Sequence, residues 1–496
     1  MVALLTLLSV SAQEDSFEAF RKQINQQFDK AKHSNDQRFD NFRQELNAQY
    51  ADFLSKSWGR FKAKEALPAP AEPDPVVPPV FDPQEASKPR EIPFSSVTPV
   101  TPVAPQPEPV EPIKPTPAPQ PKPQPQLVPT PQPQPTEEPT TEFDFFGLTC
   151  EVKAPVKDCR LISSMSEQNI AEAWRHLSQP QFDAMLADCL AQRKSLTLGD
   201  WAYYQFIKRF ADAHCKGCTN DSVLFQAFIL TQSGYQIRLG RTSDRLYLLV
   251  ACNELIYGRP YFTLNDVKFY PMYDDGARPS SLRICEAQFP SERCMSLYFD
   301  KQPRLAHKPA AVATFASKAY ANIKAEVAIN RNLMEFYATY PQCSYPPHVI
   351  ASLSESLKAQ LYPTLRKAVE GKSQRDAANC LINFVQTGFD YKTDTEQFGC
   401  EKWYFGDEIF FYPYSDCDDR AIFFAVLMRE ILGLEVVLID YPGHVATAVQ
   451  FTEAIEGDYI TYKGKRYTIC DPTYIGASIG RSMPDYKSAK IDIIEL

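Results

Sequence analysis

Residues 411–449 read "FYPYSDCDDRAIFFAVLMREILGLEVVLIDYPGHVATAV". From Ala421 the apolar side chains recur at helical spacing and the pattern stops at Gly433, which predicts a helix. After "VVLIDYPG" comes "HVATAV", an alternating stretch that predicts a strand beginning at His444. Cys417 falls in the first helical turn, among Asp416, Asp418 and Asp419. Carboxylates oppose a thiolate, so these acids are not there simply to activate the sulfur. Asp416 can cap the helix, and Asp419, three residues on, can reach back to the cap amide. The thiol would then meet free backbone N–H groups and the positive end of the helix dipole. Both stabilise a thiolate and could hold an oxyanion.

Further on, "KGKRYTICDPT" (463–473) ends a predicted strand at Asp471. A thiol, an imidazole and a carboxylate to orient it are a complete set for acyl transfer. Each residue alone is more often structural; their joint occurrence on a helix start and two strand ends is much harder to reach by accident. "YSDCDDRA", "YPGHVATAV" and "YTICDPT" resemble, in that order, the three motifs of the transglutaminase-like cysteine-enzyme superfamily. The resemblance covers about 345–480. It implies an α+β fold with a papain-like core, in which a helix bearing the cysteine packs on an antiparallel sheet carrying histidine and aspartate. By motif, Cys417 would be the nucleophile, His444 the general base and acid, and Asp471 the orienting acid. The family's second oxyanion donor lies upstream of the cysteine, where Gln397, Trp403, Tyr412 and Tyr414 all compete. No metal or organic cofactor is implied. Some transglutaminases need calcium, but no calcium-loop spacing is present.

A second stretch has the same shape. Laid without gaps on Cys417, Cys218 brings Phe225 to Phe424, Gly234 to Gly433 and Leu239 to Leu438. Arg245 then takes the place of His444, and after a shorter loop Asn265 falls opposite Asp471. Arginine stays protonated and cannot accept a proton from a thiol. Residues 143–270 therefore read as a degenerate, inert copy of the catalytic domain at 341–496. Between them, 271–340 reads as a β-hairpin ("SLRICEAQFPSERCMSLYF") and a linking helix.

The N-terminal part differs in kind. Residues 1–12 are a short apolar run ending Val-Ser-Ala, which fits a signal peptide although no Lys or Arg precedes it. Over 15–66, Phe17, Phe28, Phe39, Tyr50 and Phe61 recur every eleven residues, the pattern of an amphipathic, coiled-coil-like helix with a single aromatic stripe. Residues 67–142 form a proline-rich linker; 26 of the 42 prolines lie between 67 and 140. Such a composition buries no core and favours an extended spacer. A spacer would leave the stripe free to self-associate or to dock on an envelope partner.

A net charge of −9 argues against nucleic acid as a partner. Thirteen cysteines in an exported chain suggest disulfides, with Cys150/Cys159 and Cys285/Cys294 as local candidates. "HCKGC" (214–218) lacks the surroundings of a redox, zinc or haem motif and reads as a structural disulfide or two thiols. The leading expectation is a periplasmic, cell-surface or secreted bacterial thiol enzyme. It would take a protein or peptide substrate and cleave or transfer amide acyl groups through a thioester, with hydrolysis favoured over crosslinking. The competing expectation is a non-catalytic cell-envelope scaffold that binds through a transglutaminase-like module.

Overall fold

The structure, a computed structural model, describes residues 43–68, 77–85, 88–99, 139–155 and 160–496, apart from 275, 277, 290 and 487. The chain is mixed α+β and builds two lobes, each a layer of helices against a six-stranded sheet. Among the described residues no helix is long and apolar enough to cross a membrane.

The C-terminal lobe is organised by the helix Cys417–Leu432. Every residue from Cys417 to Met428 is buried. A helix apolar on all sides must be enclosed on all sides, and this one lies between the helices Pro346–Ile350, Glu355–Val369 and Gln374–Gly388 and the sheet. Its N-terminus carries the expected Asp416/Asp419 capping box. It ends at Gly433, whose φ of 67° suits a residue without Cβ. The sheet runs in the order Tyr459–Tyr462, Lys465–Cys470, His444–Gln450, Glu435–Tyr441, Ile491–Ile494, Phe94–Thr98.

The N-terminal lobe repeats this strand order, except that its edge strand Gly59–Lys62 is antiparallel to its neighbour where Phe94–Thr98 is parallel. Its central helix is Thr219–Gln232, and its sheet runs Phe262–Leu264, Val267–Met272, Leu246–Ala251, Ile237–Arg241, Ser281–Ile284, Gly59–Lys62. Ile237 pairs with Val250 as Val436 pairs with Val449, so both members of the pair shift by the same number of residues and the ungapped alignment holds through the hairpin. Arg245 accordingly stands at the register position of His444. Asn265 does not match Asp471. Leu248 pairs with Met272 as its counterpart Thr447 pairs with Cys470, so the residue at the aspartate's position is Tyr273. Asn265 lies in the tight turn before that strand with a φ of 49°, where the other lobe has Lys463 at 48°. The shorter loop expected before Asn265 is absent: from Leu248 to Met272 the first lobe has one residue more than the second has from Thr447 to Cys470, so the assumed gap carries the reading onto the turn instead of the strand end.

Three further expectations are corrected. Helical backbone at 43–54 does not continue to residue 66 and does not stand free of its own lobe; residues 15–42 of the expected stripe lie outside the described residues. Tyr50, Ala51, Leu54 and Trp58 are buried in the N-terminal lobe, and Asn47 Oδ1 accepts from Trp174 Nε1 and Gln232 Nε2. Gly59–Lys62 then alternates in and out as an edge strand. The proline-rich segment is not only a spacer. Phe81 and Ile92 donate backbone hydrogen bonds to the Ile475 and Tyr459 carbonyls, and Phe94–Thr98 adds a parallel edge strand beside Ile491–Ile494. An edge strand needs donors on one side only, which prolines between the pairing residues permit. Thr140–Phe145 and Leu148–Lys153 form a hairpin over the helix Asp200–His214.

Residues 285–299 also form no hairpin partner for Ser281–Ile284; they meet the sheet through single bridges at Arg293 and Met295. In place of a long linking helix, Ala313–Ala316 and Lys324–Val327 pair as strands, and only Arg331–Tyr337 is helical. The alternation of exposed Lys324 and Glu326 with buried Ala325 and Val327 overrides the helix propensity of this alanine-rich stretch.

His348 lies where the lobes meet, stacked on Phe405 at 4.4 Å. Its Nε2 is 3.6 Å from Cys343 Sγ, and its Nδ1 is buried without a partner. Burial, with Lys402 adding to it, pulls the imidazole down to about 3, so it folds neutral. A depressed pKa contributes stability above the unfolded value near 6.5 that is lost as pH falls toward 3. The unfolding free energy should therefore drop in that window with a limiting slope of about 1.4 kcal/mol per pH unit from this residue. Denaturant titrations at several pH values should show a shallower acid limb in His348→Gln than in the parent chain.

Candidate active site

His444 opens its strand directly across from Tyr441, at the mouth of the Pro442-Gly443 turn. Its Nε2 is 2.9 Å from Asp471 Oδ2. Asp471 is itself fixed: Oδ1 accepts from the backbone N–H groups of Thr473 and Tyr474 at 2.9 and 3.2 Å. The buried Gln386 donates to the Asp471, Tyr474 and Ala477 carbonyls and accepts from the Gly476 N–H, so one side chain ties down the whole loop. The imidazole stacks on Tyr486 at 5.0 Å and on Tyr441 at 5.9 Å. Its other nitrogen, Nδ1, is buried and has no hydrogen-bond partner. With Nε2 committed to the carboxylate, Nδ1 is left to exchange a proton with something else.

Cys417 sits at the start of the central helix, which packs on the strand His444–Gln450. The Val445 backbone N–H hydrogen-bonds the sulfur. Cys417 thus lies against the residue that follows His444 and within range of the Asp471 charge, without a hydrogen bond between the sulfur and the imidazole, and all three residues are almost wholly buried. The sulfur is a free thiol. Burial pushes its pKa well up, Asp416 adds to that, and the Val445 N–H pulls against it. Here the expectation from the helix dipole is corrected: at rest, desolvation and adjacent carboxylates outweigh the helix N-terminus, and Cys417 rests as the neutral thiol.

The acids around it are more numerous than the sequence suggests. Between the helix Gln374–Gly388 and Asp416 the C-terminal lobe carries an insertion, residues 389–416, where the other lobe has only Cys215–Cys218. That insertion delivers Asp394 and Glu401 to the helix start. Carboxylate oxygens of Asp394, Asp416 and Asp419 lie within 4.8 Å of one another, as do those of Asp394, Glu401 and Asp418. Burial, then Asp416, pushes Asp394 up to about 9. Asp416 Oδ1 and Asp418 Oδ2 find no N–H or O–H donor from other groups. The two carboxyls lean on each other instead, so one carries a proton unless a cation takes its place. Lys402 cannot neutralise them alone, being bound to Glu408 at 2.6 Å. The Arg420 guanidinium donates to the Gln386 and Phe389 carbonyls and Ser415 Oγ. An all-oxygen donor set of this kind could hold a hard divalent ion such as calcium or magnesium rather than zinc. Such an ion would also remove the charges that oppose a thiolate at Cys417.

Of the four upstream oxyanion candidates, Gln397 and Trp403 are committed elsewhere. Gln397 is held by Tyr404 Oη and the Tyr414 N–H, and Trp403 Nε1 donates to Glu401 Oε1 at 3.1 Å. Tyr412 and Tyr414 lie against Lys402 and Lys392. Two residues that the sequence did not single out, Tyr345 and Tyr391, lie close enough to feel the Cys417 charge. Tyr345 stacks on Trp403 at 3.9 Å. Their signal is purely three-dimensional, because Tyr345 belongs to a remote loop and Tyr391 to the insertion. Among the described residues Cys150, Cys218, Cys285 and Cys294 are free thiols; Cys159, the expected partner of Cys150, lies outside the described residues. Comparison of the chain with known protein families, with characterised proteins and with solved structures found no match.

Two outcomes test this site. Gln386→Leu strands three buried carbonyls and should cost about 2–4 kcal/mol in denaturant titration while loosening Asp471. Millimolar calcium should raise the thermal midpoint relative to chelator-treated protein at neutral pH, and Asp418→Asn should abolish that difference.

Proposed function

We propose that the C-terminal lobe is a thiol enzyme acting on amide bonds. Its core would be papain-like in arrangement: a cysteine at a helix start, with histidine and aspartate on the facing sheet. One observation carries the reading: His444 Nε2 is bonded to Asp471 while its buried Nδ1 has no partner, and the N–H of the next residue, Val445, bonds the Cys417 sulfur. In the proposed reaction the Cys417 S–H proton passes to Nδ1 as the sulfur attacks the amide carbonyl. Backbone N–H groups at the helix start hold the oxyanion. The imidazolium then protonates the departing amine, leaving a thioester. Water, deprotonated by His444, attacks the thioester and returns the thiol; an amine acceptor would instead give transfer. Asp471 keeps the ring oriented and balances its charge. Protein or peptide substrates, and an exported bacterial location, belong to the same proposal.

One observation favours the alternative of a non-catalytic envelope scaffold: the three residues are sealed from solvent, with Cys417 fully buried. The two readings part in one experiment. The protein is incubated with a peptide library and a primary amine, with and without calcium, and products are followed by mass spectrometry. A catalyst gives hydrolysed or amine-linked products that vanish in Cys417→Ala and fall at least about a hundredfold in His444→Ala. Products that persist in Cys417→Ala, or none under either condition, would leave the scaffold.

A further inference from the structure

The N-terminal lobe has lost the histidine and carboxylate, yet it carries a feature of its own. Arg60 stands directly opposite Arg283, and Arg283 directly opposite Arg241, on three adjacent antiparallel strands. Directly opposed residues share a face about 5 Å apart, where like charges repel. The three guanidiniums line a cavity of about 750 Å³ at the corner between this sheet edge and the end of the docked helix, which adds Lys56. Glu167 is the only carboxylate lining it among the described residues, and its Oε1 is taken by Arg241 at 2.5 Å. Among the described residues, neither Arg60 nor Arg283 has an ion pair. On a chain of net charge −9, this concentration of positive charge is not background.

The same sheet position in the other lobe is inverted. Gly240 pairs with Ile284 as Ile439 pairs with Ile493, so Arg241 and Arg283 correspond to Asp440 and Asp492, which also face each other. The rest of the lining fixes the ligand's chemistry. Ser55, Ser57, Thr242, Ser243 and Ser281 also line the cavity, and among the described residues Leu282 is the one aliphatic contributor. Guanidiniums and hydroxyls match the oxygens of a tetrahedral oxyanion through forked, charge-assisted bonds. A wall without aromatic rings gives a nucleobase nothing to stack on. The volume is that of a small-molecule site.

We propose that this cavity binds a phosphate-type oxyanion, either free or esterified to a hydroxyl-rich scaffold. The degenerate lobe then serves as a binding module while its sister keeps the triad.

The test is titration calorimetry of the full chain with inorganic phosphate, pyrophosphate and a hexose phosphate, ionic strength being matched with sodium chloride. One saturable site is expected, weakened at least about tenfold in Arg60→Gln/Arg283→Gln. Tighter binding of the hexose phosphate than of phosphate would assign an ester, and the reverse a free anion. The ligand-free double variant should melt no lower than the parent, because a repulsive pair is gone. If it does not fold, Arg283→Lys keeps the charge without the fork and should weaken binding by a smaller factor. Absence of saturable binding for all three anions at millimolar concentration overturns the proposal. So does an affinity unchanged in both variants.

Discussion

Everything at the candidate site depends on the pairing between Glu435–Tyr441 and His444–Gln450. Tyr441 faces His444 across a two-residue turn, which makes the histidine the first residue of a strand laid on the helix that Cys417 begins. A slip of one residue would turn the imidazole to the opposite face of the sheet. What prevents the slip is burial on both faces: Val436, Leu438 and Val449 enter the core under the helix, and Val437, Ile439, Ala446 and Ala448 a second core on the other side. Geometry for chemistry is here a by-product of packing.

That dependence explains what could be read from the sequence. The helix, its capping box and its stop at Gly433 were legible because they rest on local periodicity and cap chemistry. Arg245 at the histidine's position was legible because helix, turn and hairpin have equal lengths in both lobes. The match of Asn265 to Asp471 failed because it assumed a shorter loop that the first lobe does not have; pairing, not likeness of short stretches, sets the register. The acid cluster was hidden for another reason: Asp394 and Glu401 are ordinary surface-type residues in an insertion, and only its closure over the helix start buries them. Proline count misled over 77–99, since composition does not reveal that a few residues between prolines can still add to a sheet edge. An eleven-residue aromatic repeat likewise did not reveal that Tyr50 finds its partners in Trp174 and Phe289.

The two lobes show how one plan can carry opposite electrostatics. In the C-terminal lobe Asp440 and Asp492 face each other, whereas at the matching position of the other lobe Arg241 and Arg283 do. Neither arrangement contributes to stability on its own, because like charges held together raise the energy of the folded state. Both persist because helices and sheets packed around them fix their positions.

The edge strand Phe94–Thr98 has a kinetic meaning as well. It pairs with Ile491–Ile494, roughly 400 residues further along the chain, so the C-terminal sheet closes only when the two ends of that long excursion meet. Loop closure on that scale is slow. Until it happens, Ile491–Ile494 offers unpaired backbone groups to any passing strand, a template for aggregation. Cutting the chain into separate lobes would make that exposure permanent, which is why the two halves, though built alike, are not independent folding units.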